Sequence, residues 1–355
     1  MSNIELFNEF YKKVTSSLNE IISNYNKSLL DRNDYLKENL SIFSNLNSNG
    51  KLVRGFLISL GYKLSSKDDI DYSYPLSLAY EIFQTSVLVH DDIIDEANYR
   101  RGKETIHYVN YNKNKKYDDN LAKKLGDSIG ICIGDYGFYE ANKVIIDNYK
   151  DDVNFSKVLS YYNDIVLKTI EGELIDVELP FDSKYRLKDI DLEDKIMLIY
   201  KLKTAYYTII GPLCLGLILG DSSLDKLGTI EKFGEKVGIA FQIQDDILGI
   251  YGNLGKDKGS DIKEYKQTIL FSNTVKNNSF KDELLMYYGK SNINDSDIEE
   301  VKKIYKKSGA YDYAYKLMNR LYDSAIVDLN NIDWIKEEDK NILFGFIEFL
   351  RNREK

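Results

Sequence analysis

Proline and cysteine are nearly missing from this chain of 355 residues. Only Pro75, Pro180 and Pro212 are present, so long stretches lack the residue that breaks helices, which favours a mostly helical body. The two cysteines, Cys132 and Cys214, lie in separate apolar stretches without CxxC spacing, and both read as small buried hydrophobes. A Pro/Gly/Ser-rich linker is also lacking, so residues 1–355 are read as one domain. Excess positive charge is absent: the net charge is −9, which argues against nucleic acid or an anionic membrane as the main partner. An anionic substrate therefore needs local basic residues or a metal. The longest apolar run, Thr208 to Leu219, is too short to span a bilayer and contains Pro212, so no membrane span is expected. Met1-Ser2-Asn3-Ile4-Glu5 lacks the basic-then-apolar pattern of a signal peptide, and a cytoplasmic location is expected.

What is present is helical periodicity. Leu6, Phe10, Val14, Leu18 and Ile21 form one stripe, and Ile129, Ile133, Tyr136 and Val144 contribute to another. The runs Ala79 to Val89 and Gly234 to Ile243 are apolar nearly all round, the mark of buried central helices. Asn110 to Asn120, Lys276 to Asp282 and Asn292 to Asp297 read as polar connectors. With 43% hydrophobic residues and no clear period-two segments, an all-α bundle with a large core is expected.

Each of the two central runs ends in carboxylates: Asp91-Asp92-Ile93-Ile94-Asp95 and Asp245-Asp246-Ile247-Leu248-Gly249. Asp91 and Asp95, four apart, share a helix face. Like charges there repel unless cations hold them together, and hard oxygen sets of this kind suit Mg²⁺, which takes one or two carboxylates plus substrate phosphates. Basic residues follow or precede both clusters. Lys51 and Arg54 lie three apart; Arg100-Arg101-Gly102 follows the first cluster; Lys203-Thr204 stands between the two; Lys256 and Lys266 follow the second. Guanidinium groups bind phosphate bidentately.

Taken in order, these motifs resemble the trans-isoprenyl diphosphate synthase (polyprenyl synthetase) family. The resemblance runs from Asn49–Arg54 through Asp91–Asp95, Arg100–Gly102, Gly172–Asp176 and Lys203 to Phe241–Asp246 and Gly255–Asp261. It implies an all-α fold of the isoprenoid synthase type with a central substrate cavity, a homodimer, and Mg²⁺ as cofactor. The implied reaction condenses isopentenyl diphosphate with an allylic diphosphate. By position, Asp91, Asp92, Asp95, Asp245 and Asp246 form the candidate metal set. Arg100, Lys203, Lys256 and Lys266 are assigned to the allylic diphosphate pocket and its flank. Lys51, Arg54, Gln84 and Arg101 are assigned to the diphosphate of isopentenyl diphosphate, beside Phe241 and Gln242. Thr204, Tyr207 and Gln242 would aid the allylic cation. His90 and His107 read equally well as polar neighbours.

The chain departs from the family pattern at several positions. Gly249 stands where many members carry a third Asp, Glu173 where Gln is usual, Leu52 where Arg is usual, Gly55 where Pro is common, and Asp257 replaces a common Pro. None removes a residue assigned to the substrates. Ser86 and Val87, one turn before Asp91, are small where short-product members place bulky aromatics. The expected product is therefore longer than farnesyl diphosphate, with geranylgeranyl diphosphate first. Phe83 is the candidate tunnel floor, and Tyr136, Phe138 or Tyr139 are alternative blocks. A class I terpene cyclase, a head-to-head synthase and a non-catalytic subunit are the competing readings; the Lys51/Arg54 pair and the intact first cluster count against them.

Overall fold

The computed structural model describes residues 1–67, 69–185, 189–221, 223–252, 259–290 and 292–353. They form the helices α1 (Asn3–Leu30), α2 (Lys37–Ser48), α3 (Val53–Leu64), α4 (Tyr74–Ile94), α5 (Ile106–Asn114), α6 (Asp119–Tyr149), α7 (Phe155–Tyr185) and α8 (Asp189–Ile199). A π-helical segment, Tyr200–Ile210, leads into α9 (Gly211–Leu219) and α10 (Leu224–Tyr251). After these come α11 (Ser260–Lys263), α12 (Ile269–Val275), α13 (Asn278–Leu285), α14 (Asp295–Lys307), α15 (Ala310–Asn330) and α16 (Glu337–Arg351). The sheet among the described residues is one hairpin, β1 (Tyr99–Arg100) with β2 (Lys103–Glu104). The fold is all-α, as the periodicity requires.

Local chemistry explains the main elements. Pro75 sits in the first turn of α4, where its missing N–H costs nothing. The next turns bury Leu76, Ala79, Tyr80, Ile82 and Phe83 completely. At α14 a capping box pairs Asn294 with Asp297. The expected connectors are shorter than their polarity suggests: α5 extends to Asn114, α6 begins at Asp119 and α13 at Asn278. Packing of one face outweighs the weak propensity of Asn-rich segments.

The chain falls into two compact units built from interleaved segments. One comprises Met1–Phe7, Tyr161–Cys214 and Ser223–Lys355; the other comprises Asn8–Ser160 and Leu215–Ser222. In the second unit α6 approaches α4 and α5 along a row of glycines. A β-carbon on Gly126 would lie 2.4 Å from the His107 carbonyl oxygen, and one on Gly134 would lie 2.2 Å from the His90 ring. The opposite face of α6 leaves Cys132 exposed, contrary to the expectation of a buried thiol, while Cys214 is buried. In the first unit the π segment packs on α10, where a β-carbon on Gly238 would lie 2.4 Å from the Ala205 Cα.

The continuous helical stretch Leu192–Leu219 is long and apolar enough to cross a membrane, which the shorter run Thr208–Leu219 had not suggested. Its window is 83% buried in the protein, as a core helix is.

Candidate active site

In the unit containing α4, one face of that helix is half-open: Gln84, Val87, Leu88, Asp91 and Asp95 recur along it at helical spacing. Asp95 closes the helix with its N–H donated to the Asp91 carbonyl at 2.8 Å. Asp92 points the other way and is buried. Burial pushes its carboxyl up to about 6, against the pull of Arg100. Arg100 donates through Nη2 to Asp91 at 2.8 Å and through Nε to Asp92 at 2.5 Å. One guanidinium thus ties the outward and the inward carboxylate together.

The hairpin explains the Arg-Arg-Gly sequence. Arg101 and Gly102 occupy its two-residue turn, both with positive φ (52° and 75°), the pattern required of a tight turn matching strand twist. Arg100, on the strand, turns to the Asp cluster, while Arg101, in the turn, is exposed and donates to the Leu46 carbonyl at 3.3 Å. Lys51 is exposed, and Arg54 is half-buried in the first turn of α3. His90 and His107 each have partners within the protein. His90 Nε2 lies 3.1 Å from the Ile131 carbonyl, and His107 Nδ1 lies 3.2 Å from the Thr105 hydroxyl.

The residues assigned to chain length are packed more closely than their sizes suggest. Ser86 is fully buried, its hydroxyl donating to the Ile82 carbonyl at 3.0 Å. A β-carbon on Gly137 would lie 2.1 Å from the Ser86 hydroxyl and 2.6 Å from the Phe43 ring. Phe83 is fully buried between Tyr80 and Phe138, with ring centroids 5.3 and 5.6 Å away. Of the three, Val87 is on the half-open face.

In the other unit α10 repeats the arrangement of α4. Phe241, Gln242, Asp245, Leu248 and Gly249 form its half-open face, and Asp246 is buried. Burial drives the Asp246 carboxyl well above the usual range, opposed by hydrogen bonds from Tyr200 and Gln242. Tyr200 donates to Asp246 and accepts the Ile269 N–H at 2.9 Å. Thr204 donates to Gln242 Oε1 at 2.6 Å, and Gln242 Nε2 donates to Asp246 at 2.9 Å. A chain of polar contacts therefore runs from the π segment into α10. Tyr207 is buried in the same segment.

Lys203 forms ion pairs with Glu173 (2.7 Å) and Asp176 (2.6 Å) of α7. Gly172 permits this: a β-carbon there would lie 2.6 Å from the Lys203 backbone nitrogen. The extra charge of Glu173 is thus met by a cation. The gap at Gly249 also has a neighbour, since a β-carbon there would lie 3.0 Å from Asp261 Oδ2. Lys266 pairs with Glu264 at 3.3 Å. Lys256 lies outside the described residues.

Sequence reading missed several partners. Arg353, just past α16, pairs with Asp245, its guanidinium 4.4 Å above the Phe241 ring; Gln244 Nε2 donates to the Arg351 and Arg353 carbonyls, both at 3.2 Å. No local pattern marks a terminal arginine. Glu81 was discoverable, being a carboxylate inside an apolar run three residues before Gln84.

Among the described residues no group of three or more Asp, Glu, His or Cys side chains stands together as a ready metal cage. The donor sets nevertheless fit Mg²⁺, which needs only one or two carboxylates and draws the remainder from phosphate and water. The outward oxygens of Asp91 and Asp245 already attract cationic guanidinium groups.

Comparison with known proteins identifies the family. Residues 36–307 match the polyprenyl synthetase family model. A geranylgeranyl diphosphate synthase of Saccharolobus solfataricus is 30% identical over 352 residues, covering 95% of this chain and 97% of that protein. A short chain isoprenyl diphosphate synthase of Methanocaldococcus jannaschii is 29% identical over 307 residues, 85% of this chain and 84% of that protein. Among solved structures, a Corynebacterium glutamicum geranylgeranyl pyrophosphate synthase complexed with isoprenyl diphosphate and magnesium superposes with a TM-score of 0.85. It has 23% identity, over 97% of this chain and 99% of that one, a likeness of fold. The family model's match over most of the chain, with the full-length likeness to the Saccharolobus enzyme, makes it a member of the polyprenyl synthetase family.

Proposed function

We propose that the protein is a Mg²⁺-dependent prenyltransferase that condenses isopentenyl diphosphate head-to-tail with an allylic diphosphate, releasing diphosphate. The carrying observation is the repeated arrangement on α4 and α10. Each helix presents an outward Asp on a half-open face and buries the next Asp in a polar network. Asp91, Asp95 and Asp245 act as metal ligands; Asp92 and Asp246 hold Arg100, Tyr200 and Gln242 in place. When bound, Mg²⁺ supplies positive charge to the departing diphosphate. Arg100, Lys203 and Lys256 add cationic side chains for the allylic diphosphate, with Lys266 beside them. Lys51, Arg54, Gln84 and Arg101 take the diphosphate of isopentenyl diphosphate.

The allylic carbon–oxygen bond breaks, and the double bond of isopentenyl diphosphate attacks the allylic carbon. A proton then leaves to the released diphosphate, so no side chain need act as nucleophile. Thr204 and Gln242, joined at 2.6 Å, orient dipoles toward the developing cation, and Tyr207 of the same π segment adds a π face. Geranylgeranyl diphosphate is the proposed product, supported by the name of the Saccharolobus relative, a geranylgeranyl diphosphate synthase, and by Val87 on the half-open face. The proposed assembly is a homodimer in the cytoplasm.

The test is incubation with labelled isopentenyl diphosphate, Mg²⁺ and dimethylallyl, geranyl or farnesyl diphosphate, with chromatographic sizing of the product. A twenty-carbon product supports the full reading. A farnesyl product would retain the reaction and remove the length assignment. Absence of product with every primer would favour a non-catalytic subunit.

A further inference from the structure

Glu81 is a carboxylate in the apolar run of α4, 3% exposed, with no place in the chemistry above. Its Oε1 accepts the Gly55 N–H at 2.8 Å. That N–H belongs to the first turn of α3, whose N-cap, Leu52, has left-handed φ (53°) and makes no side-chain cap hydrogen bond. Helix N-termini leave N–H groups without intrahelical partners and favour negative charge nearby, so Glu81 caps α3 from the neighbouring helix. Proline at position 55 has no N–H to give; Gly55 does. A β-carbon there would also lie 3.2 Å from Glu81 Oε1 and 2.9 Å from Leu18. Burial raises the Glu81 carboxyl, while the Gly55 N–H, Arg54 and Arg101 pull it back toward the charged form. From α1, the Tyr11 hydroxyl donates to the Lys51 carbonyl. Tyr11 is itself pushed up to about 12, by burial first and by the Glu81 charge second.

We infer that Glu81 is a positioning residue for isopentenyl diphosphate: one buried carboxylate fixes the first turn of α3 and draws Arg54 and Arg101 toward the same place. The inference rests on the reading that these cations bind that substrate. Without the carboxylate, two long cationic side chains must be ordered when the anion binds, and affinity falls. An opposing effect exists, because removing a negative charge strengthens the positive field felt by the anion. The sign of the change decides between them.

The experiment compares wild type with Glu81→Gln, which keeps an oxygen for the Gly55 N–H and loses the charge. The Michaelis constant for isopentenyl diphosphate is expected to rise roughly tenfold, while that for the allylic substrate stays within about twofold. Calorimetric titration with isopentenyl diphosphate alone, which requires no turnover, should show the same weakening. Tyr11→Phe provides a second variant, and it should shift the same constant in the same direction by a smaller factor. An unchanged or lowered constant for isopentenyl diphosphate overturns the inference, as does an equal rise for both substrates. Wild-type turnover tests the underlying reading separately, and equal calorimetric affinities refute the role of Glu81 whether or not turnover is found.

Discussion

At position 249 the chain has glycine where a third carboxylate is common, and the neighbouring Asp261 oxygen explains how this is tolerated. A β-carbon at 249 already lies 3.0 Å from Asp261 Oδ2, closer than ordinary van der Waals contact, and a carboxylate there would add like-charge repulsion. Gly249→Asp is therefore expected to be less stable than Gly249→Ala by about 1 kcal/mol or more when metal is chelated, with Mg²⁺ narrowing the gap. Equal urea midpoints for the two variants in chelator would remove Asp261 from this position. His107 illustrates a titrating residue. Burial holds its pKa below the ordinary 6.5, with Asp127 and Glu96 opposing and Lys123 assisting. From 6.5 down to the lowered native value, the unfolded chain binds a proton that the folded chain does not. Stability is full above 6.5 and falls as pH drops through that window. Urea unfolding of wild type and His107→Gln across those pH values should show a steeper acid-side loss in the wild type; parallel curves would refute the assignment. At this scale Asp91 and Asp245 were legible in the sequence. The different duties of Asp92 and Asp246 were not: adjacent helix positions point about 100° apart, and only packing decides which one faces inward.

Among the elements, the π segment is where sequence reading stopped short. Tyr200 to Ile210 reads as ordinary helix, because hydrophobic spacing over eleven residues does not distinguish α from π periodicity. Long π runs are rare and gather at functional sites, and this one carries Lys203, Thr204 and Tyr207. Its neighbours accommodate it through glycine: Gly172 against the Lys203 backbone and Gly238 against Ala205. Gly238→Ala should cost about 1–3 kcal/mol by overpacking, and it should also lower kcat by displacing Thr204 from Gln242. Denaturant titration and steady-state assay check both parts; a variant with wild-type stability would mean that the segments separate at no cost. By contrast, the largely buried character of the runs Ala79 to Val89 in α4 and Gly234 to Ile243 in α10 was legible from their apolar composition, although each keeps a half-open face.

For the whole molecule, α6 carries the assembly argument. Its glycine face packs on α4 and α5, and its opposite face leaves Leu125, Cys132, Tyr139 and Ile146 exposed at seven-residue spacing, with Ile131 beside them. Such a stripe suits helix pairing between two copies. Tyr139→Glu combined with Ile131→Glu is expected to convert the proposed dimer to a folded monomer in light scattering with size exclusion. A persistent dimer would move the interface elsewhere. Exposure in the single chain means that the substitutions leave the core intact.

By itself the sequence determined the helical class, the two acidic helix ends and the basic residues around them, because these follow from local spacing and charge. Tertiary structure decided what depends on contacts between distant segments. It turned Asp92 and Asp246 inward, brought Arg353 to Asp245 and Asp261 to Gly249, packed Ser86 against Gly137, and set Glu81 beneath the first turn of α3. Residues more than a hundred positions apart, as Asp245 and Arg353 are, carry no mutual signal in a single chain; close packing of helix faces puts them in contact.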